Sequence, residues 1–432
     1  MKKDILLTVL ILACALIALP AAVNTVSDAA SPTGYTTTFT YIDTEATNVN
    51  LVGSFTFYVD NTPQLFGKGV PISSVNDSIN NYIFGPESWK NDGTMRHIND
   101  EGFVDAMVRT GSKFTYTIQL PCASYMYFFN VSYDNGETWV RITDPDNIPP
   151  QNSLSLNPQY RSQFFVPYDS EKQDISDDWT YLFPIDDKSK AGTIDYVIYE
   201  GNEGAIRPAQ VYLPAGYDPN RAEPYKTLYM SHGSGGFEGD WFHQGNIPNI
   251  ADRLIAEGVI EPFIIVGVEN AVFVTASGGT DFRAIYEDMV DYLIPYMEKN
   301  YNIVEDASGR AMAGLSRGSQ ITSWIFLRAT ETFDYYALLS GGSLNLYSFD
   351  TDPEDLKKVN VYIGAGFADQ ALLRPGTFDM TTVSSAIGLA WKLDSIGVSY
   401  NKGSSIKIVP GAHDWFVWPA LARDYFTNYL WQ

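Results

Sequence analysis

The hydrophobic pattern of this 432-residue chain changes period near Thr193, and that change divides what the two parts can fold into. Before it the period is two. Val49, Leu51, Phe55, Phe57 and Val59 fall on one parity, interrupted by Gly53, and Phe114, Tyr116, Ile118 and Leu120 repeat the pattern. An aromatic-rich stretch, Tyr125–Tyr133, is followed by Asp134-Asn135-Gly136 and then by Trp139-Val140-Arg141-Ile142. Alternation sends successive side chains to opposite faces, and an Asn-Gly pair suits a tight hairpin. These features predict an antiparallel β-sandwich over residues 33–150. Residues 151–190 are polar and irregular, with Pro149, Pro150, Pro158 and Pro167 around them, and are expected to be a linker, draped or free.

Past Thr193, apolar strands alternate with helical stretches. The strands are expected at Ala209–Leu213, Thr227–Met230, Phe263–Val268, Arg310–Leu315, Val359–Ile363 and Ser405–Val409. In Asp281–Tyr301, Phe282, Ile285, Met289, Leu293 and Met297 recur every three or four residues, which marks one helix face with Asp281 as its N-cap. Strand–helix alternation predicts a mostly parallel sheet with helices on both faces across residues 191–432.

The first residues follow another logic. Lys2 and Lys3 precede an apolar run from Ile5 to Leu19, and Pro20, Ala21 and Ala22 follow. A charged start, a short apolar core and small residues predict a cleaved signal peptide over residues 1–29, cut between Ala21 and Ala30. Export to a secreted, periplasmic or cell-envelope location, with no stable membrane insertion afterwards, is the expectation. The cysteines are Cys14, in that apolar run, and Cys122. One remaining thiol forms no intramolecular disulfide and no Cys-rich metal site, so Cys122 is expected to be a small buried residue. With 28 Lys and Arg against 51 Asp and Glu, the formal net charge is −23, which argues against nucleic-acid partners and leaves neutral ones such as sugars.

The chemistry concentrates at Gly314-Leu315-Ser316-Arg317-Gly318. The string is weak evidence alone, but Ala311–Leu315 leads in as a strand and Gln320–Thr330 leads out as a helix. That is the setting of a nucleophile elbow, which stands a Ser hydroxyl clear of the sheet at a helix N-terminus. A Ser hydroxyl needs a base near pH 7 and a group to hold that base. His413 is the only His after Ser316 and lies in a loop just past a strand. Of nine carboxylates between the two, Asp369 is preferred, because it follows the strand Val359–Ile363 by a short loop containing Gly364 and Gly366. Asp414 is expected to face away or to cap the next helix. His97 and His243 are expected at the surface, with pocket lining as the alternative for His243. Two backbone N–H groups must also stabilise the oxyanion. One is assigned to Arg317 and the other to Ser234, in the loop His232-Gly233-Ser234-Gly235-Gly236.

At these residues the chain resembles the esterase D–like α/β-hydrolases of carbohydrate esterase family 1. The resemblance runs from about Thr193 to Gln432. It rests on Leu213-Pro214-Ala215-Gly216-Tyr217, Leu228–Gly236 with Asp240-Trp241, Leu293–Glu298 with Tyr301, Arg310–Ser316, and Gly411–Trp415 with Trp418. It implies an α/β-hydrolase fold, with Ser316, Asp369 and His413 matching nucleophile, acid and base, and Ser234 and Arg317 matching the oxyanion donors. Two positions depart from the family. Arg317 stands where Met is usual, and Gly318-Ser319 replaces paired glycines. A cation there either favours an anionic or polar substrate group or turns outward to pair with a carboxylate; the second is the expectation. The first half resembles the glycogen-binding, immunoglobulin-like domain often fused to such esterases, on Val49–Phe55, Leu120-Pro121, Tyr125–Phe129 and Asp144–Asn147. Such domains bind glycan or only pack on the catalytic domain; Trp89 and Trp139 are the candidates for stacking on sugar rings.

The expected protein is therefore a secreted two-domain serine esterase. Its substrate would be feruloyl or acetyl esters on plant cell-wall polysaccharide or oligosaccharide, such as xylan, with Trp241, Trp415 and Trp418 lining the acyl pocket. The chemistry needs no metal or organic cofactor. The alternatives are a siderophore trilactone esterase of the enterobactin type and a catalytically inert glycan-binding protein.

Overall fold

Strands of the first half bury alternate side chains against one another. In Ala123–Ser132, Tyr125, Tyr127, Phe129 and Val131 are wholly buried. Phe39 and Tyr41 from Tyr35–Ile42, Phe114 and Ile118 from Lys113–Ile118, and Val49 and Leu51 from Asn48–Gly53 enter the same core. This computed structural model describes residues 23–53, 56–57, 81–82, 105–148, 161–175, 178–341, 352–367, 369, 371–372, 385–411 and 413–432. The apolar run of the expected signal up to residue 22, together with Phe55, Val59, Trp89 and His97, lies outside the described residues.

Two antiparallel sheets face that core. One runs Val23–Ser27, Tyr35–Ile42, Lys113–Ile118, Val108–Thr110; the other runs Val140–Ile142, Ala123–Ser132, Asn48–Gly53, Asp105–Ala106. Phe39 packs edge-on against Tyr127 at 4.9 Å and Phe164 at 5.1 Å, joining the two layers. The expected turn at Asp134-Asn135-Gly136 forms, with φ of 60° at Asn135 and 92° at Gly136, the left-handed pair that a two-residue hairpin needs.

Two boundaries differ from the sequence reading. Val23–Ser27, inside the segment assigned to the signal, is an edge strand paired with Tyr35–Phe39. Ser162–Val166, inside the expected linker, is a strand of the sandwich, with Ser162 opposite Tyr127 and Val166 opposite Ala123. Its alternation is short and flanked by prolines, so it reads as irregular chain. Gln173, further along the same segment, is also anchored. Its Nε2 donates to Thr33 O at 2.7 Å and its Oε1 accepts from the N–H of buried Cys122 at 2.8 Å.

The second half is an eight-stranded sheet. In space its order is Thr193–Glu200, Ile206–Leu213, Ile264–Val268, Thr227–Ser231, Arg310–Leu315, Tyr335–Leu339, Asn360–Gly366, Lys407–Val409. The pairings among the first three strands are antiparallel and all later ones are parallel. Successive residues of each strand serve opposite faces. Leu228 and Met230 pack under Ile247–Ala256 and Val417–Asn428, whereas Tyr229 packs under Phe282–Asn300, Arg317–Phe326 and Ala386–Ser395. This is the α/β-hydrolase arrangement, with the order reversing around Thr227–Ser231.

The long helix keeps its expected face. Asp281 accepts from Ala284 N at 3.0 Å as N-cap, and Ile285, Met289, Leu293 and Met297 are all buried. One π turn, Met289–Leu293, interrupts it. All six expected strands form. Thr193–Glu200 and Tyr335–Leu339 are additional to them.

Candidate active site

The strand Arg310–Leu315 is buried along its whole length and feeds directly into the helix Arg317–Phe326. Ser316 sits between them at φ 51° and ψ −114°, a strained conformation for a residue with a side chain, and its N–H donates to Leu339 O at 3.0 Å. The flanking glycines serve close approach. A Cβ on Gly314 would lie 2.2 Å from the Gly318 backbone, and one on Gly318 would lie 2.2 Å from Ser231 O. Strand, turn and neighbouring strand can therefore close on one another only with glycine at both positions. The elbow strain falls on Ser316, at the helix N-terminus where the macrodipole favours negative charge.

The loop after Thr227–Ser231 packs against this elbow. A Cβ on Gly233 would meet Leu315 Cδ1 at 2.7 Å and Ser316 Cβ at 3.4 Å. Gly236 N–H donates to Gly233 O at 3.3 Å, closing a turn with Gly235 at φ 72°. Ser234 is exposed at the tip of this turn. Among the described residues no protein acceptor takes the N–H of Ser234 or of Arg317. A buried bracket holds the loop from behind. Asn270 Nδ2 donates to His232 O and to Ser231 Oγ, both at 2.8 Å, and Asn270 N–H donates to His232 Nε2 at 3.1 Å. With Nε2 accepting, the ring proton belongs on Nδ1, 2.8 Å from Gly233 O. Sequence reasoning quoted His232 within the loop motif without giving its ring this anchoring contact.

His413 and Asp369 approach from the far side of the sheet. Asp369 follows the strand Asn360–Gly366, is wholly buried, and accepts from Ala371 N–H at 2.7 Å. His413 Nδ1 lies 2.9 Å from Asp369 Oδ1 and 3.1 Å from Oδ2. Burial alone lowers the His413 pKa. The charge and hydrogen bond of Asp369, with a further contribution from Asp414, outweigh it and raise the value above its ordinary 6.5. Asp414 takes the capping role: its Oδ1 accepts from Phe416 N at 2.9 Å and Val417 N at 3.2 Å.

Ser316 and His413 line one cavity of about 340 Å³, with Gly233, Ser234, Trp415 and Trp418. Among the described residues no hydrogen bond joins the Ser316 hydroxyl to His413, a contact that commonly tightens only when substrate is present. Trp415 and Trp418 stand edge to face at 4.9 Å, and His413 packs edge-on against Trp418 at 5.1 Å. A family model described as "Putative esterase" matches residues 204–421, half of the chain, and spans Ser234, Ser316, Asp369 and His413.

The chain belongs to this esterase family. That membership agrees with the carboxylic ester hydrolase expected from the sequence. Among its relatives, an endo-1,4-beta-xylanase/feruloyl esterase of Xylanibacter ruminicola is 38% identical over 188 residues, 41% of this chain and 25% of that protein. Endo-1,4-beta-xylanase Y of Acetivibrio thermocellus is 29% identical over 188 residues, 41% of this chain and 16% of that protein. The esterase thus matches a quarter or less of the length of either. A crystal structure of the enterobactin esterase from Shigella flexneri shares the fold, with a TM-score of 0.50 at 14% identity, covering 92% of this chain and 93% of that one.

Two expectations about this site are corrected. Trp241 does not line the cavity. It is wholly buried, donates from Nε1 to Ser231 O at 3.1 Å, and stands behind Trp415 at 5.4 Å. It holds the strand Thr227–Ser231 and backs the tryptophan in front. His243 is not a surface residue. Its ring lies against Phe237 at 6.2 Å, and burial pulls its pKa down to about 4, so it stays neutral. Arg317 is half-buried and, among the described residues, no carboxylate pairs with it. Sequence reasoning gave no cavity role to Arg161, Asp240 or Gln244, which also line it. Nothing in the local pattern around Arg161 signals that a residue of the first half reaches the cavity.

Proposed function

We propose that this esterase is exported and hydrolyses feruloyl or acetyl esters on plant cell-wall polysaccharide, xylan among them, through an acyl-enzyme. Ser316 attacks the ester carbonyl. His413 takes the Ser proton and returns it to the departing sugar alkoxide. Asp369 holds the imidazole with its proton on Nδ1 and stabilises the imidazolium that forms. The N–H groups of Ser234 and Arg317 receive the oxyanion, and losing one such donor costs about 3–4 kcal/mol of barrier in a comparable site. Water then releases the acid by the same steps in reverse roles. Trp415 and Trp418 offer the apolar wall for the acyl group.

The observation that carries this reading is the His413–Asp369 pair facing Ser316 across one cavity, in a chain 38% identical over its matched stretch to a xylanase/feruloyl esterase. Trp139, 40% exposed on the sandwich, fits stacking on a sugar ring as a further contact. Hydrolysis of a siderophore trilactone is the alternative. Its anionic iron complex would meet the Asp240 carboxylate in the cavity and a chain of net charge −23, and both disfavour it.

The test is turnover of methyl ferulate, acetylated xylan, a catechol trilactone and p-nitrophenyl acetate by the protein and by Ser316→Ala. Ser316-dependent turnover favouring ferulate or acetylxylan is expected. Preference for the trilactone moves the protein to iron acquisition, and activity surviving in Ser316→Ala removes that residue as nucleophile.

A further inference from the structure

The catalytic cavity is not walled by the catalytic half alone. Arg161, the residue before the strand Ser162–Val166 of the sandwich, lines it beside Asp240 and Gln244. Its neighbour fixes its place. Gln163 Nε2 lies 2.7 Å from Ser124 Oγ within the sandwich, 2.8 Å from Asn246 Oδ1 and 3.1 Å from His243 O across in the catalytic half. Asn246 returns a hydrogen bond to Ser124 Oγ at 3.2 Å. Phe416, just past Trp415, meanwhile enters the sandwich core against Tyr125 at 6.3 Å. The two halves are thus pinned together on either side of the cavity.

The wall so formed is chemically mixed. Asp240 is nearly wholly buried; its Oδ1 accepts from Gln244 Nε2 at 3.0 Å and its Oδ2 from Phe237 N at 3.3 Å. Burial pushes its carboxyl up to about 6, against the pull of the nearby His232 ring, of the hydrogen bonds from Gln244 and Phe237 and, least, of Arg161. The guanidinium and that carboxyl line the same cavity. Such a wall presents planar N–H donors, an amide and a carboxyl together. A sugar hydroxyl donates and accepts at once, and it suits this set. A full anion facing Arg161 also faces Asp240, which offsets the attraction. The apolar wall of Leu315, Trp415 and Trp418 offers nothing comparable to a hydroxyl.

We propose that Arg161, with Asp240 and Gln244, forms a subsite for the hydroxyl-bearing part of a neutral sugar ester, so that the N-terminal half supplies a specificity-determining residue to the catalytic pocket. The proposal rests on the reading of this cavity as the site of ester hydrolysis. It goes beyond that reading in assigning the sugar to one wall and in making the sandwich part of the active site.

The test compares KM and kcat of the full chain, Arg161→Ala and Arg161→Lys on a feruloylated arabinoxylo-oligosaccharide, methyl ferulate and p-nitrophenyl acetate. Losing a hydrogen bond from a charged donor predicts that Arg161→Ala raises KM for the oligosaccharide ester about tenfold or more relative to the two simple esters. Arg161→Lys should fall between, because it keeps the charge and loses the planar fork. Should the alanine variant melt early, the lysine variant carries the comparison. Calorimetric titration of Ser316→Ala and Ser316→Ala/Arg161→Ala with the same oligosaccharide should show the matching loss of affinity without turnover. Equal losses on all three substrates, or no change in the KM ratio, overturn the subsite. A larger loss on a carboxylate-bearing ester than on the neutral sugar ester overturns its assignment to neutral sugars. Absence of Ser316-dependent turnover in the unmodified protein would instead sink the underlying reading, whatever Arg161 does.

Discussion

His413 Nδ1 faces both oxygens of Asp369, at 2.9 and 3.1 Å, on a carboxylate with no solvent exposure. A carboxylate can only accept, so it holds the imidazole with the proton on Nδ1 and the lone pair on Nε2. Asp369→Asn replaces one acceptor with a donor and favours the opposite tautomer, which cannot take a proton from Ser316. Turnover should fall by about 10⁴-fold, the size of loss seen when the acid of such a triad becomes an amide, with the fold retained. Steady-state rates on an activated ester, beside a circular-dichroism melt, check it. A loss below tenfold would place the acid elsewhere.

The same pair sets the pH profile. A general base works only when neutral, so activity is lost as pH falls through the His413 pKa. Burial lowers that pKa, but Asp369 and Asp414 raise it further than burial lowers it. The acid limb of kcat/KM for the free enzyme should therefore have its midpoint above the ordinary histidine value of 6.5. In Asp369→Asn the raising charge is gone and the limb should move to lower pH. Rates flat from about pH 8 to pH 4 would contradict a histidine base.

Much of this site is legible in the chain because its parts are local or scarce. Gly-x-Ser-x-Gly is contiguous, His413 is the one histidine after Ser316, and Asp369 lies just past the end of a strand. What is not legible depends on distant chain. Tyr335–Leu339 is a five-residue apolar run after a helix, which periodicity alone cannot tell from more helix. Trp241 reads the same whether its indole faces the cavity or, as found, the strand behind it. Ser162–Val166 looks irregular until Ala123–Val166 pairing is seen, and Arg161 belongs to the cavity only through that pairing. Arg317 was expected to find a carboxylate, and the described surroundings provide none.

Adjacent residues of the elbow helix should respond oppositely to the same small change. A methyl on Gly318 would lie 2.2 Å from Ser231 O and 2.8 Å from His232 O, both main chain, so the helix and the oxyanion-side strand must separate. Gly318→Ala should cost about 1–3 kcal/mol of stability and should lower turnover, since Ser316 and Ser234 move apart. Ser319, where relatives by resemblance carry a second glycine, is wholly buried, and among the described residues its hydroxyl has no hydrogen-bond partner. Ser319→Ala removes that unsatisfied oxygen and should leave stability equal or higher. Thermal midpoints of the two variants against the parent decide it. A stable Gly318→Ala protein would mean the strand and the elbow are not held as closely as described.

The edge strand Val23–Ser27 sets a limit on where an exported chain can be cut. Its backbone pairs with the neighbouring strand from Val23 opposite Phe39 to Ser27 opposite Tyr35, and Thr25 and Thr37 share a hydroxyl hydrogen bond at 3.0 Å. Beyond it, Asp28 accepts from Thr36 Oγ1 at 2.6 Å and from Ala30 N at 3.0 Å, closing the turn into the next strand. Cleavage between Ala21 and Val23 keeps all of this, whereas cleavage near Ala30 removes the strand and exposes the edge of Tyr35–Ile42. Each lost backbone bond is worth about 0.5–1.5 kcal/mol net, and an unpaired edge also invites association. With export as proposed, amino-terminal sequencing of the mature chain should therefore give Ala22 or Val23 as its first residue. A chain beginning at Ser31 should melt below one beginning at Val23. A mature terminus at Ser31 with an unchanged melting temperature would mean that Val23–Ser27 contributes nothing to the sandwich.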